Sequence, residues 1–195
     1  MELAASGGFL KKLEAVYAEM DRAYDRSAAY HGFSCTPCTE NCCLTRFYHH
    51  TTIEFAYLLH GFDGLSRETQ DLCLTRAETY NREMERAAST GGAFSHMCPV
   101  NENGLCMVYA FRPMICRLHG IPHEVNPPGR GKVFGSGCMA FEKSCGAVSC
   151  HGFDRTPFYM EMAELEQAFR REVNITEKFK MTVAGMLLFF RESET

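Results

Sequence analysis

At 195 residues and 22.0 kDa the chain has room for one ordinary domain, and 46% hydrophobic with 23% charged residues is the balance of a soluble globular protein. A net charge of −4 leaves no global basic field, so nucleic acid is not an expected partner. The longest apolar run, Met186 to Phe190, falls far short of the roughly 20 residues of a membrane span, and Met1 to Lys12 has no secretory-signal pattern. The expected setting is therefore the cytoplasm, with no membrane and with an unknown protein or small molecule as partner.

In chain order, Phe9, Leu10, Leu13, Val16, Tyr17, Met20 and Tyr24 recur at three- and four-residue steps and predict an amphipathic helix that runs to about Tyr30. Thr51 and Glu54 have capping-box spacing ahead of a short helix closed by Gly61. Ser66 caps a third helix, with Leu72, Cys73, Ala77, Tyr80, Met84 and Ala87 on one face, ended by Gly91-Gly92. Cys73 lies on that face and reads as a core residue.

Residues 94–153 lack helical periodicity and are net positive between net negative flanks. Asn103-Gly104 signals a turn, with Leu105 to Tyr109 as a short strand behind it, which brings Cys98 and Cys106 near one another. Asn126-Pro127-Pro128-Gly129 marks an exposed loop. Thr156-Pro157 then opens a helix and Thr176 caps the last one, whose apolar residues include Phe179, Val183, Met186, Leu187 and Phe190. The expected fold is mainly α: a single domain over 1–195, helices around a loop-rich cysteine centre with one short hairpin, and a C-terminal helical pair over 154–195.

Eleven cysteines are the informative count. An odd number in a chain this long, without a secretory signal, points to metal ligands or redox thiols rather than a disulfide framework. Thiolates favour zinc, copper(I) and iron-sulfur clusters. The first group reads Cys35-x2-Cys38-x3-Cys42-Cys43. Cys35-Thr36-Pro37-Cys38 is also compatible with a redox pair, but a helix rather than a strand precedes it. Neighbouring Cys42 and Cys43 point apart in extended chain, which suggests two centres or one larger cluster. Cys98, Cys106, Cys116 and Cys138 are available to complete them, and Cys145 and Cys150 remain as extra ligands, a thiol pair or buried residues.

The ordered set Cys35-x2-Cys38-x3-Cys42-Cys43, Cys98-Pro99, Gly104-Leu105-Cys106-Met107-Val108-Tyr109, Arg112-Pro113-x2-Cys116-Arg117 and Cys138 resembles the YkgJ-like cysteine-cluster family over about residues 30 to 140. That resemblance implies a zinc- or iron-chelating domain with Cys35, Cys38, Cys42, Cys43, Cys98, Cys106, Cys116 and Cys138 as metal ligands. The same domain occurs in the flagellin lysine methylase, where it implies an iron-sulfur cluster and a methyl-transfer-related role. No Gly-rich strand-to-helix loop for a nucleotide-like cofactor is visible, and neither a Ser-His-Asp set nor HExxH is present.

Four thiolates on zinc or on an oxidised four-iron cluster leave a charge of about −2, which Arg112 and Arg117 beside Cys116 would offset as cofactor-binding groups. The plainer reading is that Arg112 caps a turn and Arg117 is solvated. His49, His50, His96, His119, His123 and His151 also lie near cysteines and are candidate ligands or surface groups. The expectation is a metal-binding protein whose dispersed cysteines hold an iron-sulfur cluster, favoured over zinc, with a redox or methyl-transfer role. The alternative is a zinc-binding structural, chelating or chaperone protein without catalysis.

Overall fold

The computed structural model describes residues 7–35, 42–146 and 153–194. Its elements in order are α1 (Gly7–Tyr30), α2 (Thr52–Asp63), α3 (Arg67–Thr90), β1 (Asn101–Glu102), β2 (Leu105–Cys106), α4 (Met114–Leu118), β3 (His123–Val125), β4 (Val133–Gly135), α5 (Met139–Cys145), α6 (Thr156–Glu172) and α7 (Val183–Glu194), with 3₁₀ turns at Cys42–Leu44 and Tyr109–Phe111. The fold is mainly α, with two small hairpins among the described residues where one was expected. No described helix is long and apolar enough to cross a membrane.

The chain forms two compact units: Met1–Cys42 with Met114–Thr176, and Cys43–Pro113 with Glu177–Thr195. Helices α6 and α7, the expected C-terminal pair, therefore belong to different units.

In the first unit the apolar stripe of α1 buries Leu13, Val16, Tyr17 and Met20, as its spacing predicts, and α1 packs on α6 and α4. Phe9 meets Phe169 of α6 edge-on, with ring centroids 5.6 Å apart. Leu118, Ile121, Phe141, Phe153 and Met162 are buried in the same unit. Helix α6 starts with Arg155 as N-cap, so Thr156 falls one position inside it. Asp154 takes over the capping chemistry: its Oδ1 accepts from the Thr156 amide at 2.8 Å and from the Thr156 hydroxyl at 2.5 Å. Short helices α4 and α5 interrupt the region expected to be loop, because five and seven residues are too few to show a helical period.

In the second unit α2 is buried on almost every side, from Thr52 to Leu59, and α3 packs extensively on α7. Thr51 is the N-cap of α2, but its hydroxyl lies 2.5 Å from Glu54 Oε2 and makes no bond to the helix backbone. Gly61 does not end α2. It sits inside the helix against the Phe111 ring, where a Cβ would fall 2.7 Å from Phe111 Cβ, so its role is close approach. The last carbonyls of α2 and the turn beyond it are met instead by Gln70 Nε2, 3.2, 3.1 and 3.0 Å from the oxygens of Phe62, Asp63 and Leu65. Ser66 caps α3 by accepting from the Thr69 amide at 3.3 Å, and Gly91 ends it at φ +66°.

Thr176 caps no helix. Residues 177–182 run as irregular chain, with Met181 bridging His49 through backbone bonds of 2.8 and 3.1 Å, and Thr182 accepts from the Gly185 amide at 3.1 Å where α7 begins. Phe179 lies outside the helix but still packs on Phe55, ring centroids 5.4 Å apart.

Candidate functional site

The cysteines divide at the Cys42–Cys43 peptide. Cys43, Cys73, Cys98 and Cys106 fall in the second unit, and Cys35, Cys42, Cys116, Cys138 and Cys145 in the first. Cys38, Cys150 and His151 lie outside the described residues.

In the second unit the Cys98 amide donates to the Cys43 carbonyl at 2.8 Å, and the Cys98 carbonyl accepts from Asn101 at 3.0 Å, which turns the chain into β1. Asn103 at φ +52° and Gly104 at φ +85° make the expected tight turn, whose two positive φ angles suit Asn-Gly. The register then pairs Asn101 with Cys106, and Met107 donates to the Val100 carbonyl at 2.9 Å. The strand expected over residues 105–109 is only Leu105–Cys106, because the chain coils into the turn at Tyr109–Phe111. The hairpin is held from α3 by Arg76, which donates to the Asn101 carbonyl at 2.9 Å and pairs with Glu102 at 2.7 Å.

Cys98 and Cys106 pack against the core of this unit, and Cys73 is fully buried inside it, the expected core residue. Burial pushes the Cys106 thiol up to about 11, and the neighbouring Cys43 and Cys73 add to the rise, against a lowering by Arg112. Burial also raises Cys73. Tyr80 is pushed up to about 12 by burial and then by Cys98. Burial holds the Cys106 thiol protonated, and a soft cation would deprotonate it on binding.

In the first unit, Cys138 is the N-cap of α5 and its amide donates to the Gly120 carbonyl at 2.9 Å. Gly120 has φ +117°, and a Cβ there would lie 2.9 Å from the Tyr24 hydroxyl and 3.9 Å from Cys138 Sγ. Cys145, at the other end of α5, donates from Sγ to the His31 carbonyl at 3.4 Å. Cys42 and Cys116 are half-buried and Cys35 is exposed.

Arg112 takes the turn-capping role: its amide and Nη1 both bond the Tyr109 carbonyl, and its guanidinium lies 3.7 Å from the Tyr109 ring centroid. It also stands close enough to Cys106 to favour the thiolate. Arg117 is not solvated. Its side chain is 4% exposed, pairs with Asp21 at 2.7 Å and lies 4.0 Å from the Tyr17 ring centroid, so it locks α4 to α1.

His49 is buried, and burial first and His50 second push it down to about 4. His123 is pushed to about 4 by burial and then Arg155, and His119 is lowered by the same two causes. His96 has Nδ1 3.3 Å from the Met97 carbonyl and stacks on Phe94. It lines a groove of about 330 Å³ with Arg86, Thr90 and Phe94, and no cysteine borders that groove. His31, which sequence reasoning passed over, has its Nε2 buried with no hydrogen-bond partner among the described residues. Its place four residues before Cys35 is the signal that could have found it.

Among the described residues no three His, Cys, Asp or Glu side chains stand close enough together, as oriented, to hold a metal ion. No family model, curated protein or solved structure matches the chain.

Proposed function

We propose that the chain is a cytoplasmic metal-binding protein of the YkgJ-like cysteine-cluster type, with its thiols divided between two centres. Cys43, Cys98 and Cys106 form the ligand set of the second unit. Cys35, Cys38, Cys42, Cys116 and Cys138 form that of the first, Cys38 entering through the resemblance alone. The carrying observation is the backbone bond from Cys98 to Cys43 with the hairpin register that sets Cys106 beside the same turn.

The donor chemistry suits the group: soft thiolates with Arg112 near enough to offset their charge. Reaching the roughly 2.3 Å of a metal-sulfur bond needs side-chain rotation on a backbone the hairpin already holds. An iron-sulfur cluster supplies electron transfer when bound, and zinc supplies a closed structural site. The residues position the group, shield Cys106 from water and hold its local charge. We favour the cluster, with a redox or methyl-transfer-related role, over the zinc-binding alternative, because the ligands are scattered rather than arranged as two CxxC knuckles.

The test is metal content of Cys98→Ser and Cys106→Ser against Cys73→Ala. Each of the first two is expected to lower bound metal per chain, with Cys73→Ala retaining it while losing stability. Full metal in both serine variants overturns the ligand assignment.

A further inference from the structure

We infer that the groove at the C-terminal end of α3 binds a mononucleotide, a phosphate monoester that carries a sugar and a planar ring. This goes beyond the metal centres and does not depend on them. The observation that carries it is a pair of cations gathered on one ring. The Arg46 guanidinium lies 5.8 Å from the Tyr48 ring centroid and the Lys180 ammonium 4.8 Å from the same centroid, and neither makes an ion pair among the described residues. Two like charges held this close repel one another, and an anion bound to both relieves that repulsion.

Arg46 joins this pair to the groove, since its guanidinium also lies 5.8 Å from the ring centroid of Phe94. The groove has a volume of about 330 Å³ and is lined by Glu83, Arg86, Thr90, Phe94, Ser95 and His96. That is the low end of the roughly 300–1,000 Å³ of small-molecule sites. Its wall is held in place by packing. Phe94 and His96 stack at 6.3 Å with 16° between their planes, and Tyr80 of α3 meets both rings edge-on at 4.9 and 5.8 Å. The backbone bridge between His49 and Met181 sets Tyr48 beside Lys180, and the Tyr48 hydroxyl reaches Met84 Sδ at 3.9 Å.

The charges select the ligand. Glu83 is the carboxylate among the lining residues and pairs with Arg86 at 3.2 Å, which leaves Arg46 and Lys180 as uncompensated positive charges. A phosphate monoester carries about −1.5 to −2 at neutral pH and answers both, where a carboxylate answers one. The carbonyls that end α3 would repel an anion, but the nearest are occupied. The Arg86 carbonyl accepts from the Ser89 and Thr90 hydroxyls at 2.9 Å each, and the Ala87 carbonyl accepts from the amides of Gly91 and Gly92. Arg46 offers the forked donor that phosphate oxygens fit, and the Phe94 and His96 rings offer a stacking face for a base. A carboxylate has lone pairs to spare beyond one Arg partner, so Glu83 with Ser95 supplies an acceptor and a donor for sugar hydroxyls.

The experiment titrates adenosine 5′-monophosphate into the full-length protein by calorimetry at low and high salt, with adenosine, inorganic phosphate and phosphotyrosine as comparison ligands. One equivalent of the nucleotide is expected, each comparison ligand binding more weakly by about tenfold or more, and affinity falling as salt rises. Arg46→Gln and Lys180→Gln should each weaken the nucleotide about tenfold, the loss of one charge-assisted hydrogen bond. Phe94→Leu should weaken the nucleotide while leaving inorganic phosphate as in the parent. Arg46 and Lys180 are exposed, so their variants are expected to keep the parent's thermal midpoint. No binding at millimolar nucleotide, equal affinity for adenosine, tighter binding of phosphotyrosine, or parental affinity in the double variant Arg46→Gln/Lys180→Gln each overturns the inference.

Discussion

The amide of Cys98 donates to the carbonyl of Cys43 at 2.8 Å, joining two cysteines far apart in the chain through backbone rather than through side chains. A backbone bond fixes where both Cα atoms stand whatever their thiols do, and the β1–β2 hairpin carries Cys106 to the same turn. The three cysteines are thus brought to one turn by main-chain geometry, and several consequences of the packing around them can be measured.

Gly61→Ala is expected to destabilise the second unit by about 1–3 kcal/mol, the usual cost of forcing extra carbon into a packed core. The new Cβ would overlap the Phe111 ring, so Phe111→Leu in the same chain should recover part of the loss. Chemical denaturation of the two single variants and the double variant checks this, and additive losses would contradict it.

Ser66→Ala is expected to cost about 1 kcal/mol, because the Ser66 side chain accepts from the Thr69 amide at the start of α3. Thr51→Ala should cost less through capping, since Thr51 makes no side-chain bond to the helix backbone. The ordering of the two midpoints in a denaturant titration is the readout.

Asp21→Asn is expected to destabilise the first unit, and Arg117→Ala more so. The first leaves a buried guanidinium with a weaker partner, while the second also removes the stack on Tyr17. Breaking a buried pair costs about 3–5 kcal/mol, and Asp21's partial exposure places its variant below that range. Equal stability of Asp21→Asn and the parent would contradict the role given to the pair.

Stability should fall on acidification through the window from 6.5 to about 4. His49 titrates at an ordinary 6.5 when unfolded and near 4 when folded. Between those values the unfolded chain binds a proton that the folded chain refuses, so stability is full above 6.5, declines as the pH drops and levels off below about 4. The displacement corresponds to at most on the order of 3 kcal/mol. His123 and His119 are lowered in the same direction and add to the slope. His49→Gln should flatten the pH profile of the denaturation midpoint, and an unchanged slope would remove His49 as the cause.

Much of this fold was legible in the sequence where a period is long. Leu13, Val16, Tyr17 and Met20 are all buried as their spacing implies, and Ser66 and Gly91 bound α3 as their chemistry requires. Asn103-Gly104 placed the first hairpin correctly. Short elements were not legible: α4 and α5 span too few residues to show a helical period. Gly61 and Thr176 misled because a glycine inside a helix and a threonine before an apolar run match the local signals of an end and a start. What decides them lies elsewhere in the chain, in the Phe111 ring and in the backbone bridge between His49 and Met181. The division of the cysteines between the two units at Cys42–Cys43 is likewise a product of long-range packing, and the extended chain from which the side-chain divergence was argued is instead a 3₁₀ turn over Cys42–Leu44. The buried pairing of Arg117 with Asp21 had no local signal at all.

The most direct measurement is elemental analysis with a visible spectrum on protein purified anaerobically without added metal. Iron and acid-labile sulfide with a broad absorption band near roughly 400 nm are the predicted result. Bound zinc without colour would contradict the cluster while retaining the thiolate site. Protein without bound metal that keeps its native fold would contradict the central claim that these cysteines are ligands.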